Sequence, residues 1–177
     1  YEIEQVQDES WAKSQNLIIL ADKLAKDTME KSRVTKYKKI RELSSKDLND
    51  IILSHPFSDL EGSENFWDYS VPLVEADHVT EEAGTGFVHI APSHGAEDFE
   101  VFLKRGWLSR MTNNVEDDSS FAATVPFFKG LQIFNKKGKE GEGNKAVIQK
   151  LIEANKLIAR GILEHSYPHS WRSRAPV

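Results

Sequence analysis

Strand-like and helix-like segments follow one another in this chain without regular alternation, and that order limits the fold more than any other feature. Residues 16–21 (NLIILA) form an apolar run of strand length and predict a strand buried on both faces. Asp22 then suits an N-cap, with Leu24, Ala25, Thr28 and Met29 at helical spacing up to about Arg33. Residues 45–53 read as a further helical turn or two, ended by His55-Pro56-Phe57, because a proline disfavours helix in the residue before it. Residues 71–76 (VPLVEA) and 86–90 (GFVHI) read as strands about a polar turn, the first starting at an edge because of Pro72. Ser93 is placed to cap a helix running to about Arg105, with Gly106 as its stop. Residues 130–134 (GLQIF) and 158–163 add strand-like segments around a flexible loop, KKGKEGEG from Lys136. A last helix is capped by Asn144, with Val147, Ile148, Leu151, Ile152 and Leu157 on its buried side. The absence of a strand–helix rhythm favours α+β, with a mostly antiparallel sheet or barrel-like arrangement and peripheral helices, over a doubly wound sheet.

At 177 residues the chain has the length of one domain, and it is read as a single domain over 1–177. It does not open with Met and is expected to be an excised piece of a longer protein. No apolar stretch approaches the roughly 20 residues of a membrane helix. The lack of cysteine excludes disulfides and thiolate ligands and accords with a cytoplasmic location. A net charge of −5 argues against nonspecific nucleic-acid binding over the whole surface, although three basic segments stand out. They are 36–41, 136–139 and 171–174, and the first and last carry an aromatic residue that could stack on a base.

The chemistry concentrates in residues 84–102, GTGFVHIAPSHGAEDFEVF. Gly84-Thr85-Gly86 precedes a strand-like segment, whereas phosphate loops follow a strand and open a helix, so a nucleotide loop is set aside. His89, His94 and Asp98 supply two nitrogens and an oxygen, as catalytic zinc sites do, and Glu97 and His78 could enlarge the set. The spacing matches no helical zinc motif, and nothing in the sequence forces these residues together. A third reading is an organic pocket. There Asp98, in the first turn of a helix, offers a carboxylate to a substrate ammonium through charge-assisted hydrogen bonds. Glu97 points about 100° away on the helix and cannot face the same pocket. On the residues alone, Asp98 serves equally well as a mere improvement of the helix N-terminus.

The stretch resembles the editing-domain (CP1) signature of class I aminoacyl-tRNA synthetases for branched aliphatic amino acids, the isoleucyl group above all. HPF at His55, EADHVT from Glu75, VPFFKGLQIF from Val125 and HSYPHSWRSRAPV from His165 agree in order, so the likeness covers nearly the whole chain. It implies a β-barrel-like domain inserted in a synthetase, which hydrolyses valine wrongly attached to tRNA(Ile), with valyl-adenylate as a further substrate. A single methylene is worth only about 1–3 kcal/mol in a pocket, a limit established on isoleucine and valine themselves and not inferred from this chain.

Carried over by position, Asp98 is implied to be the catalytic anchor that holds the α-ammonium of valine. His89 is implied to line the side-chain pocket and exclude isoleucine by size. Thr85, Gly86 and Phe87 are expected in the pocket wall, Thr80 at its rim, and His94 in a structural place or near the ester. The implied mechanism is attack by a positioned water, with orientation supplying much of the acceleration. No metal and no cofactor are implied for editing; ATP and Mg would serve the parent's catalytic domain outside this chain. The implied partners are the acceptor end of tRNA(Ile) carrying valine and the remainder of the synthetase. The family often has Cys where Ser170 and Ser173 stand, so no thiolate knuckle is expected. Its threonine-rich strand normally precedes the position of Tyr1, which implies weak or no activity for the isolated chain. The alternatives are a noncatalytic tRNA-docking module and a metal-dependent hydrolase.

Overall fold

The computed structural model describes residues 1–82, 84–135, 138–162 and 171–172. They form a mixed α+β structure of two small antiparallel sheets and four α-helices, divided into two compact units. No closed barrel is formed among the described residues, and none of their helices is long and apolar enough to cross a membrane.

The first unit comprises Tyr1–His55, Ser70–Thr112 and Leu157–Arg160. Strand β1 (Glu2–Val6) pairs with β2 (Val34–Lys38), and helix α1 (Ala25–Lys31) lies between them in sequence. Period-2 alternation sends Ile3 and Val34 inward, where they join Ala12, Leu20, Ala25 and Met29 in one core. The outward rows are acidic on β1 and basic on β2. Lys36 reaches Glu4 at 3.0 Å and Lys38 reaches Glu2 at 2.8 Å. Lys39 pairs with Asp22 and Glu42, whose carboxylates hold its ammonium pKa above the ordinary value. The lysines at 36, 38 and 39 are therefore all engaged in ion pairs, the first two of them across the strands.

The apolar run at 16–21 is not a buried strand. It makes one isolated bridge, Glu2 with Leu17, and leaves Leu17 74% and Ile19 45% exposed. Gln15, at φ +70, turns the chain immediately before it, so only Ile18 and Leu20 reach the core. Asp22 does not cap a helix; Ala21 is the N-cap of a short 3₁₀ turn, Asp22–Leu24, that leads into α1. The Asp22 carboxylate instead accepts from the Tyr1 hydroxyl and pairs with Lys39.

Helix α2 (Ser45–Asn49) is set by a capping box between Ser44 and Asp47, and it ends early enough for β3 (Ile52–Ser54) to form. That strand pairs with β4 (Ser70–Pro72), so the strand expected over 71–76 is short and its partner is a segment read as helical. Residues 86–90 form no ladder. Helix α3 (Ala96–Lys104) stops before Gly106, at φ +68, as its sequence requires, although Gly95 and not Ser93 is the N-cap.

The second unit comprises Pro56–Tyr69, Asn113–Lys156 and the described part of Gly161–Val177. Its core is aromatic: Phe57, Trp67 and Phe128 are buried with Ala122 and Val125, and Phe57 meets Trp67 edge-on at 5.8 Å. Helix α4 (Glu142–Glu153) lays Ala146, Val147 and Leu151 on that core. It starts from Gly141, two residues beyond which stands Gly143, and not from Asn144. Their N–H groups donate to the carbonyls of Ile133 (2.7 Å) and Gln132 (2.8 Å). A Cβ on Gly141 would stand 2.1 Å from the Gln132 oxygen, so the glycine-rich loop is a close backbone approach. Residues 130–134 contribute isolated bridges in place of the expected strand, and no strand forms over 158–162.

Candidate functional site

The turn at 84–86 is fastened to the first unit by two bonds. Thr28 Oγ1 donates to the Gly84 carbonyl at 3.1 Å, and the Ala21 N–H donates to the Thr85 carbonyl at 2.8 Å. Gly84 and Gly86 both have positive φ, +72 and +83, the region that a side chain disfavours. At Gly86 space is short as well, since a Cβ would meet that of Ala21 at 2.6 Å. Thr85 Oγ1 closes the turn on Phe87, accepting from its N–H at 3.3 Å and donating to its carbonyl at 3.2 Å. Thr85, Gly86 and Phe87 thus share one fixed turn, while Thr80 is exposed outside it.

Asp98 occupies the first turn of α3, and its carboxylate leaves the helix. The Gly95 N–H is already donated to the Ala91 carbonyl at 2.9 Å, so it does not need Asp98. Oδ2 of Asp98 accepts instead from the Ala91 N–H at 2.8 Å. Gly95 makes room for this bend, because a Cβ there would lie 3.0 Å from Oδ2. Oδ1 faces Nε2 of His78 at 3.1 Å, and the two side chains are only 17% and 19% exposed. That approach is close but out of line: the buried Nε2 makes no well-directed hydrogen bond.

His89 is exposed, in the segment without regular structure just before Ala91. From the Ala91 nitrogen, 2.8 Å from Oδ2, the backbone back to the His89 Cα spans at most about 6 Å, so anchor and gate candidates share one neighbourhood. Burial first, and the neighbouring imidazole of His89 second, together lower the pKa of His55 to about 4. His94 lies elsewhere. With Pro92, Ser93, Ala96, Phe99 and Leu103 it lines an open hollow of about 480 Å³ along α3, which includes neither Asp98 nor His89. Among the described residues no three His, Cys, Asp or Glu side chains gather to hold a metal ion.

No protein-family model matches the chain. Curated relatives do. An isoleucine–tRNA ligase of Bradyrhizobium diazoefficiens is 43% identical over 184 residues, covering 100% of this chain and 18% of that enzyme. The isoleucine–tRNA ligases of Ruegeria pomeroyi and Caulobacter vibrioides are 46% and 44% identical, covering 100% and 96% of the chain and 18% and 17% of theirs. The chain is homologous to a segment of isoleucine–tRNA ligases. It spans less than a fifth of their length, 18% in the first of them.

Within this ligase-like segment, the sequence offered His78 only as an enlargement of a metal set, and its approach to Asp98 was not foreseen. His78 stands twenty positions before Asp98, in a turn closed by the Val79 N–H on the Ala76 carbonyl (3.1 Å), and its ring approaches the carboxylate. No periodicity joins the two. The usable signal was their chemistry, an imidazole and a carboxylate, without a distance. The basic segment at 171–174 is described only at Trp171 and Arg172, where the guanidinium lies 4.9 Å from the indole centroid. Lys136 and Lys137, and the positions of Ser170 and Ser173, lie outside the described residues.

Proposed function

We propose that this chain is the editing (CP1) segment of an isoleucine–tRNA ligase, acting in the cytoplasm to hydrolyse valine from mischarged valyl-tRNA(Ile), and valyl-adenylate as well. The observation that carries this reading is the Asp98 carboxylate. It is turned away from its own helix, pinned by the Ala91 N–H, and lies beside the backbone of the His89 segment. The carboxylate makes no capping hydrogen bond to its own helix and accepts instead from a segment seven residues upstream.

In this reading Asp98 accepts from the α-ammonium of valine, and His89 sets the depth of the slot. Thr85, Gly86 and Phe87 form its wall, Thr80 its rim, and His94 has a structural place on α3. Water attacks the ester carbonyl, the tetrahedral oxyanion collapses, and the tRNA ribose oxygen leaves with a proton. Asp98 orients the ester and takes no proton, because its charge is engaged by the ammonium. Editing uses no cofactor; ATP and Mg serve the ligase's synthetic site, outside this segment. The acceptor end of tRNA(Ile) and the rest of the ligase are the partners.

The test is deacylation of valyl-tRNA(Ile) by the full ligase that carries this segment. Loss of a charge-assisted hydrogen bond costs about 1.5–3 kcal/mol, so Asp98→Ala is expected to slow deacylation by about 10- to 100-fold or more. An unchanged rate refutes the anchor. His89→Ala is expected to start cleaving correct isoleucyl-tRNA(Ile); a variant that still spares it shows that His89 is not the gate. Binding of the tRNA without turnover by the parent enzyme would indicate a docking module instead.

A further inference from the structure

We propose that His78 is the positioning residue for Asp98: its imidazole fixes Oδ1 while the Ala91 N–H fixes Oδ2, so that the carboxylate presents one defined direction to an incoming ammonium. The inference rests on the editing reading above and deepens it, since the resemblance gives His78 no role.

A carboxylate on two side-chain torsions can aim its oxygens widely unless both are held. Ala91 restrains Oδ2 at 2.8 Å, and Gly95, which has no Cβ, leaves room for the carboxylate, since a Cβ there would lie 3.0 Å from Oδ2. That leaves Oδ1, and the only titratable side chain within ion-pair reach of it among the described residues is His78, at 3.1 Å. The ring comes from the 76–79 turn, two residues beyond which Glu81 is tied to Lys23 at 2.7 Å, so the segment that carries His78 is anchored apart from α3. The contact is also loose: Nε2 is buried 3.1 Å from Oδ1 without good alignment. Such bonds commonly tighten only when substrate arrives, and an ammonium drawing on Oδ1 would pull the carboxylate into line with the imidazole N–H. Each oxygen has two lone pairs, so His78 and the ammonium can share Oδ1.

The test uses the full ligase and steady-state deacylation of valyl-tRNA(Ile), with the parent, Asp98→Ala, His78→Ala, the volume-keeping His78→Phe, and His78→Gln. His78→Ala and His78→Phe are each expected to raise KM about tenfold with kcat within about twofold of the parent. His78→Gln, which keeps an N–H donor, is expected to recover most of the loss. The double variant of Asp98→Ala with His78→Ala is expected to be no worse than Asp98→Ala alone, because both act through one carboxylate. An unchanged KM in both His78 variants, a loss in kcat that Gln does not relieve, or additive losses in the double variant overturns the role. Should the Ala variant not fold, the Phe variant carries the same comparison. A parent ligase that does not deacylate valyl-tRNA overturns the editing reading and this role with it. An active parent with an inactive Asp98→Ala and a parent-like His78→Phe overturns the His78 role alone.

Discussion

Gly86→Ala is expected to destabilise the chain by about 2–5 kcal/mol, and the reasons are separable. At φ +83 an alanine takes a left-handed backbone, which costs about 1–2 kcal/mol. Its Cβ would also stand 2.6 Å from that of Ala21 and 3.3 Å from the Ala21 nitrogen. Favourable carbon–carbon contacts lie near 3.5–4.0 Å, so the turn must withdraw by about 1 Å, and forced overpacking of this kind costs about 1–3 kcal/mol. Neither atom is the end of a flexible side chain. The withdrawal strains the Ala21 N–H bond to the Thr85 carbonyl, now 2.8 Å. Gly84 is the internal control. It has φ +72 but nothing within 4 Å of a new Cβ, so Gly84→Ala should cost only the backbone part, about 1–2 kcal/mol. Urea unfolding of the chain, followed by circular dichroism with the slope compared between variants, measures both. Ala21→Gly in the Gly86→Ala background should return about 1–3 kcal/mol through the double-mutant cycle. Equal costs at positions 84 and 86, or a cycle without coupling, would refute the steric argument.

Three further outcomes are expected. Folded His55, half-buried, stays neutral down to about pH 4, whereas the unfolded chain protonates it near the ordinary value of about 6.5. The unfolded state therefore binds more protons in that window, and stability, full above pH 6.5, falls by about 1–2 kcal/mol towards pH 4 after allowance for solvent screening. His55→Gln should flatten this part of the profile in urea titrations at several pH values; an unaltered slope removes His55 as its cause. Met29→Ala, at a side chain 1% exposed in the first core, should cost about 2–5 kcal/mol in the same unfolding assay, and a loss below 1 kcal/mol would mean that the core collapses around the gap. Ser44→Ala removes half of the α2 capping box and should cost about 1 kcal/mol, with loss of amide-exchange protection confined to 44–50.

Local signals with a short-range cause were legible in the sequence. Gly106 ends α3 because its positive φ is a property of the residue itself, and Asp98 sits in the first turn because helix start and stop are encoded within a dozen positions. The α+β class followed from the order of segments. The β1–β2 pair was missed because its meaning is mutual: EIEQV and VTKYK offer each other complementary charges, Glu4 to Lys36 and Glu2 to Lys38, that are far apart in the chain. NLIILA misled for the converse reason, as hydrophobicity of a run does not say which edge of which strand it will meet. KKGKEGEG misled because a glycine that permits flexibility and one that permits a carbonyl at contact distance read alike until the carbonyl is in place.

By itself the sequence determined the elements of the candidate site: a GTG turn, two histidines, and an aspartate at a helix start, in a chain homologous throughout to isoleucine–tRNA ligases. Tertiary structure alone decided where the aspartate points, which imidazole meets it, and that His94 belongs to a different hollow. Chain order fixes which groups are available, but hydrogen-bond and charge energies fall off over a few ångströms, and only folding sets distances on that scale between residues twenty positions apart.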